Sequence, residues 1–358
     1  MNEQRVELDR PETYGAVDRH DMAGQIAGLP EQIRRAWDHA RLVDLPDKHA
    51  DIFSFIVVGI GGAAISGDFL QALVAHTAQI PVIVARGYDL PAFVGPDSIV
   101  VGVSHSGNTE ETITLFEEAI DRGAKPVIVT SGGRFADLAT IHRAPLMNYA
   151  AMDAQQRTAV GFMFMSLLGI AQAVHVASGI DGQVVEAVTL LEQARDRFGP
   201  GAPIAANPAK QIAQELMGKI PMIYAAGFLQ PVTLWWKEQL GANAKTTAII
   251  DVQPEINHTS ALGYSFPQGN ADRLAAVQVR SSYDHPRIRF HWQVTTDLLD
   301  QAGIANSIVE AQGQSRLAQM LWCMSLGDWV SYYLALLNNV DPTPEAAIAY
   351  MKRKLASA

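Results

Sequence analysis

Cysteine is the scarcest residue of this 358-residue chain: there is one, Cys323, inside the apolar run Met320-Leu321-Trp322-Cys323-Met324. A single thiol excludes an intrachain disulfide, and its apolar neighbours predict a buried small hydrophobe. Long apolar runs are also missing: no stretch approaches eighteen uninterrupted apolar residues, so no segment reads as a membrane span. The N-terminus, Met1-Asn2-Glu3-Gln4-Arg5, is polar and lacks the apolar core of a leader peptide, which points to a soluble, cytoplasmic protein with no membrane partner. Positive charge is in deficit, 27 Lys+Arg against 37 Asp+Glu for a net charge of −10. A polyanion binder shows the opposite balance, which excludes nucleic acid as the main partner. A small anion stays compatible, because a few backbone amides and one or two cations hold it locally.

What the chain has is core material. Hydrophobic residues make up 48% and charged residues 18%, so the bulk is not disordered. The length suits two domains or one large one. Residues 1–45 read as a helical segment, broken at Gly28-Leu29-Pro30, with Pro30 suited to a helix start. From there short apolar runs alternate with helical patterns. Strands are predicted over 53–58, 81–85, 98–103 and 125–130, and helices over 64–75, 109–122, 157–177 and 190–198. Gly199-Pro200-Gly201-Ala202-Pro203 is the best linker, after which the pattern restarts. Strands are predicted over 221–226, 247–252, 274–279 and 306–310, a helix over 231–240, and closing helices after the turn Asp341-Pro342-Thr343-Pro344. Such alternation means βαβ units and parallel sheets, in two α/β domains over 46–200 and 201–358.

The most informative segment is Ser104-His105-Ser106-Gly107-Asn108-Thr109-Glu110-Glu111-Thr112. A buried strand leads into a hydroxyl-rich loop and a helix starts at once behind it. Hydroxyls, backbone amides and a helix N-terminus then converge, which is how a phosphate is held with little formal charge. The alternative for the same residues is an ordinary helix cap by Thr109 or Ser106. Gly59-Ile60-Gly61-Gly62 lacks the full dinucleotide-binding glycine spacing, and the following strand runs into Ala85-Arg86 with no acidic residue, so a dinucleotide oxidoreductase fits poorly.

Ser-x-Ser-Gly-Asn-Thr-x-Glu-Thr after a strand resembles the phosphosugar-binding loop of sugar isomerase (SIS) domains, and Gly59 to Asp68 resembles the glycine turn that precedes it. Gln156-Arg157-Thr158-Ala159, Asn207-Pro208-Ala209-Lys210, Gly218-Lys219-Ile220-Pro221, Trp236-Lys237, Asn243-Ala244-Lys245, Pro254-Glu255-Ile256-Asn257-His258 and the stretch from Asp328 to Pro344 are similar to the bifunctional phosphoglucose/phosphomannose isomerase branch. The resemblance covers about residues 45–355. It implies two doubly wound, mainly parallel-sheet SIS domains in tandem with flanking helices, a sugar phosphate as ligand, no metal or other cofactor, and a homodimer in which His258 enters the partner's site.

In such a family an aldose and a ketose interconvert by ring opening and proton transfer between C1 and C2 through a cis-enediolate. The resemblance puts Ser104, Ser106, Gly107 and Thr109, with Gly61 and Gly62, at the substrate phosphate. It puts Arg157 over the enediolate and gives ring opening to His258 and Lys352, an imidazole suiting that task near neutral pH. The sequence also departs from the family. The proton-transferring glutamate falls on Ala242, in Gly241-Ala242-Asn243-Ala244-Lys245; a serine of the glycine turn is Ala63; and the Asn-Glu after the histidine is Thr259-Ser260. Loss of a general base removes about 10²–10⁴-fold in rate. The sequence thus leaves open a hexose-6-phosphate isomerase with a substitute base, Glu238 or Glu255, an SIS enzyme with another reaction, such as conversion of a different sugar phosphate, and a sugar-phosphate binder that no longer turns its ligand over.

Overall fold

The computed structural model describes residues 6–46, 51–150 and 158–355. Two wholly parallel sheets form among them. The first comprises β1 (Ser54–Val58), β2 (Val82–Ala85), β3 (Ser98–Ser104), β4 (Lys125–Thr130) and β5 (Leu146–Asn148), in the order β2-β1-β3-β4-β5. The second comprises β6 (Ile220–Ala226), β7 (Ile249–Gln253), β8 (Leu274–Arg280) and β9 (Ala305–Glu310), in the order β7-β6-β8-β9. The two α/β sheets are those the strand–helix alternation predicts.

Burial explains the strand composition. Every residue of β1 and β3 is buried. A parallel strand covered on both faces needs a continuous apolar run rather than alternation, and Ser54-Phe55-Ile56-Val57-Val58 supplies one. The helix Glu110–Asp121 turns Thr112, Leu115, Phe116 and Ala119 inward at helical spacing, and Phe135 of the helix Gly133–His142 meets Phe116 at 5.1 Å between ring centres. Gly102 makes this fit possible: a Cβ there would lie 2.6 Å from the Phe135 ring. Each of these phenyl groups contributes about 2–3 kcal/mol by burial.

The chain divides into two compact units. One comprises Gly28–Leu191 with Gln312–Leu321 and contains the first sheet; the other comprises Met1–Ala27, Glu192–Ala311 and Trp322–Ala358 and contains the second. In the second unit the fully buried Lys210 donates to the carbonyls of Leu8 (2.5 Å), Pro200 (3.0 Å) and Ala202 (2.8 Å), beside the rings of Tyr14 and Tyr333. Burial lowers its pKa, and the three carbonyls replace the water that the ammonium lost.

Some elements differ from the sequence reading. The helix expected over 190–198 runs from Ile180 to Phe198, because Ile180, Val184, Ala187 and Leu191 continue one buried stripe. The helix expected over 157–177 is Val160–Ala173. β5 and the helices Gly133–His142, Pro208–Leu216 and Pro286–Gln301 have no counterpart in that reading. Cys323 is buried, and burial pushes its thiol pKa up, so the thiolate is disfavoured. Among the described residues no helix is long and apolar enough to cross a membrane.

Candidate active site

The order β2-β1-β3-β4-β5 sends the chain to one side after β1 and to the other after β3. Loops at the carboxyl ends of β1 and β3 therefore diverge and leave a crevice, where open α/β sheets bind their ligands. Both loops end in helix starts. Gly61 precedes the helix Gly62–Val74 with φ +59°, a left-handed conformation suited to glycine, and no side chain caps that helix. Thr109 precedes the helix Glu110–Asp121, and its side chain does not cap that helix either.

The Thr109 hydroxyl turns instead to Ser104 Oγ, at 3.1 Å. Ser104 Oγ also accepts the Gly107 N–H at 3.1 Å, and Ser106 Oγ accepts the Asn108 N–H at 3.3 Å. Ordinary capping by Thr109 is thus not what these hydroxyls do. Gly107 itself is strained for any other residue: its φ is +67°, and a Cβ would lie 1.7 Å from the Gly132 carbonyl oxygen. Neighbouring groups hold the loop from behind. Phe135 N–H donates to Gly107 O (3.0 Å), Arg134 N–H to Asn108 Oδ1 (3.0 Å), and Ser131 Oγ to His105 O (2.5 Å). The structure therefore brings together Gly61, Gly62, Ser104, Ser106, Gly107 and Thr109 on the two loops of one switch point.

His105 is a member of this loop that sequence reasoning passed over. Its Nδ1 lies 3.3 Å from the hydroxyl of buried Tyr149, whose ring stacks on Phe162. Burial lowers the imidazole pKa, which favours the neutral ring. Only the hydroxyl–hydroxyl–glycine pattern drew attention to the loop, and nothing in the sequence links position 105 to 149.

Of the remaining expected residues, His258 and Lys352 belong to the other unit, and Arg157 lies outside the described residues. Ala242 ends the helix Gln230–Ala242, which packs on β6 and β7 and connects them. A crossover between parallel strands runs antiparallel to both, so Ala242 sits at the end of the sheet where β7 begins. His258 follows the other end of β7, past the short turn Glu255–Asn257, and is exposed. Within one chain the length of β7, about 16 Å, separates the two positions.

The Ala242 end is firmly built. Asn243 Nδ2 donates to Ser331 Oγ (2.8 Å) and Gln239 Oε1 (3.2 Å). Trp235 Nε1 donates to buried Asp328 at 2.7 Å; burial raises the Asp328 carboxyl to about 8, against the opposing effect of this hydrogen bond. Lys245 Nζ donates to the carbonyls of Ala242 and, at 2.7 Å, Pro344. It thereby ties this helix end to the turn before the helix Ala346–Leu355, which carries Lys352 and buries no residue. Glu238 lies four residues before Ala242, on the same helix face one turn away.

Comparison with known proteins fits this division. Residues 51–152 match the family model described as the SIS domain, and 205–355 that of the bacterial phospho-glucose isomerase C-terminal SIS domain. The chain is 34% identical over 336 residues to a bifunctional phosphoglucose/phosphomannose isomerase of Caldicellulosiruptor bescii, covering 94% of this chain and 99% of that one. It is 30% identical over 247 residues to a D-glucosamine-6-phosphate 4-epimerase of Sulfolobus acidocaldarius, covering 68% and 74%. A solved structure of a glucose-6-phosphate isomerase like protein from Thermus thermophilus shares the fold with a TM-score of 0.65 at 21% identity, covering 97% of this chain and 99% of that one. The chain belongs to the SIS-domain family, in the branch of the bifunctional phosphoglucose/phosphomannose isomerases.

Proposed function

We propose that this protein binds a hexose 6-phosphate by its phosphate in the Ser104–Thr109 loop and acts as an aldose–ketose isomerase of glucose 6-phosphate and mannose 6-phosphate with a weakened proton-transfer step. The observation that carries this is the loop itself: hydroxyls turned to one another beside two helix starts that no side chain caps, in a chain of this family. Amide N–H groups left at a helix start attract a phosphate dianion without a cation. The SIS domains run over 46–200 and 201–358 and enclose the two matched segments.

On this reading His258 gives a proton to the ring oxygen as the ring opens, Lys352 assists, and Arg157 faces the enediolate. The separation of Ala242 from His258 along β7 favours a homodimer, in which the partner's His258 completes the site. Proton transfer from C2 to C1 needs a base within hydrogen-bond reach, and the Ala242 methyl offers none. Glu238, one turn back, holds the nearest carboxylate on that face but is displaced by a helical turn, about 5 Å.

The same alanine favours a second reading, a sugar-phosphate binder without turnover. The epimerase relative shows that a hexosamine 6-phosphate is acted on at another carbon within comparable identity. Turnover of glucose 6-phosphate and mannose 6-phosphate by wild type and by Ala242→Glu tests the proposal. A weak wild-type rate, raised about 10- to 100-fold by Ala242→Glu, is expected, recovery being partial because a base misplaced by about 1 Å loses much of its effect. Robust wild-type turnover would contradict the weakened step, and Glu238→Gln and Glu255→Gln would then show which carboxylate serves as the base.

A further inference from the structure

The loop that carries His258 is held from one side chain. Asn257 precedes the histidine and closes the turn Glu255–Asn257. Its Oδ1 accepts the Thr295 hydroxyl at 2.7 Å, and its Nδ2 donates to His291 Nδ1 at 3.0 Å. Thr295 Oγ1 in turn accepts from Gln253 Nε2 at 2.5 Å. The bonds have one consistent direction: Gln253 amide to Thr295 hydroxyl, Thr295 hydroxyl to Asn257 carbonyl oxygen, Asn257 amide to His291 imidazole. Thr295 and His291 project from the helix Pro286–Gln301, whose buried stripe is Trp292, Thr295 and Leu299. Thr295 is fully buried, as is Gln253 to within 1%. The backbone repeats the restraint, since the N–H groups of His258 and Thr259 both reach Glu255 O, at 2.9 and 3.1 Å, and Thr259 Oγ1 reaches it at 2.9 Å.

The helix surface thus fixes the residue before His258, while the imidazole of His258 stays exposed. We infer that Asn257 is a positioning residue for His258, acting through His291 and Thr295. This rests on the ring-opening role of His258 proposed above. A purely structural asparagine would satisfy buried partners and nothing more. This one joins a rigid helix to the residue beside an exposed imidazole, and a displacement of about 1 Å at a reacting group costs as much as 10²-fold.

The test uses full-length protein and glucose 6-phosphate, with three readings on each variant: affinity for the sugar phosphate, α/β anomer exchange by magnetisation-transfer NMR, and isomerisation. Anomer exchange needs ring opening alone and does not depend on a base at position 242. Asn257→Ala and His291→Leu are expected to slow anomer exchange about 10- to 100-fold with affinity unchanged. His291→Gln, whose carbonyl oxygen can accept the same N–H, is expected to stay within a few-fold of wild type. In a His258→Asn background, Asn257→Ala is expected to add no further loss, because a residue that acts through another has nothing left to position. Additive losses, or unchanged exchange in Asn257→Ala beside a large loss in His258→Asn, would overturn the inference and leave the His258 reading standing. Full exchange in His258→Asn with ligand still bound would overturn both.

Discussion

The two sheets reverse strand order in the same way and use the resulting switch points differently. In the first, β3 delivers Ser104–Thr109 to a helix whose start no side chain caps. In the second, β8 delivers Arg280-Ser281-Ser282-Tyr283-Asp284 to the helix Pro286–Gln301, and here the loop answers its own polar groups. His285 Nδ1 caps the helix by accepting the Arg287 N–H at 3.1 Å. Asp284 accepts from Trp292 Nε1 (2.8 Å) and from the Ser281 N–H (3.2 Å), and Arg289 donates to the carbonyls of Ser282 and Asp284. The Phe228 ring, from the loop after β6, meets Tyr283 edge-on at 5.9 Å. A carboxylate and an aromatic pair fill the place where the first sheet offers hydroxyls and amides. One topology therefore yields a crevice lined by hydroxyls and amides or a self-satisfied joint, according to which side chains line its loops.

The largest effect should come from the first loop. Gly107→Val would force a left-handed backbone and a clash with Gly132 O. It should destabilise the protein by about 3 kcal/mol in denaturant unfolding and abolish sugar-phosphate binding by calorimetry. Retained binding would show that the loop does not hold the phosphate.

Per pH unit, a smaller effect is expected in the second unit, from Asp328. Its folded carboxyl is raised to about 8, above the unfolded value near 4. The folded state then binds the proton more tightly, so the contribution is fully present below about pH 4 and is lost as pH rises through about 8. Stability should fall by about 1 kcal/mol per pH unit between these limits, before other groups are counted. Asp328→Asn, which can still accept from Trp235, should remove this slope with no change in ligand affinity. An unchanged slope would place the titration elsewhere.

The smallest change is His285→Ala. It should cost about 1 kcal/mol as a lost helix cap and leave sugar-phosphate affinity untouched. An effect on affinity would break the contrast between the two switch points.

How much of this was legible in the sequence depended on range. β1 and β3 were plain because a strand buried on both faces must be a continuous apolar run. The hydroxyl loop was legible because its members are adjacent. β5 escaped notice because it has three residues, two of them exposed. The helix Pro286–Gln301 escaped because its inward stripe includes Thr295 in place of an apolar residue. The Asn257–His291 and His105–Tyr149 contacts pair residues 34 and 44 apart, and no local pattern signals such a meeting. Ala242 was visible as a departure from the family, whereas its distance from His258 emerged only from the direction of the crossover helix.

The position of the bound phosphate tests the proposed site most directly. A crystal structure with glucose 6-phosphate should place the phosphate oxygens about 3 Å from the hydroxyls of Ser104, Ser106 and Thr109 and from amides at the two helix starts. A phosphate that touches none of these three residues, or that lies at residues 281–285 of the second sheet, would contradict it.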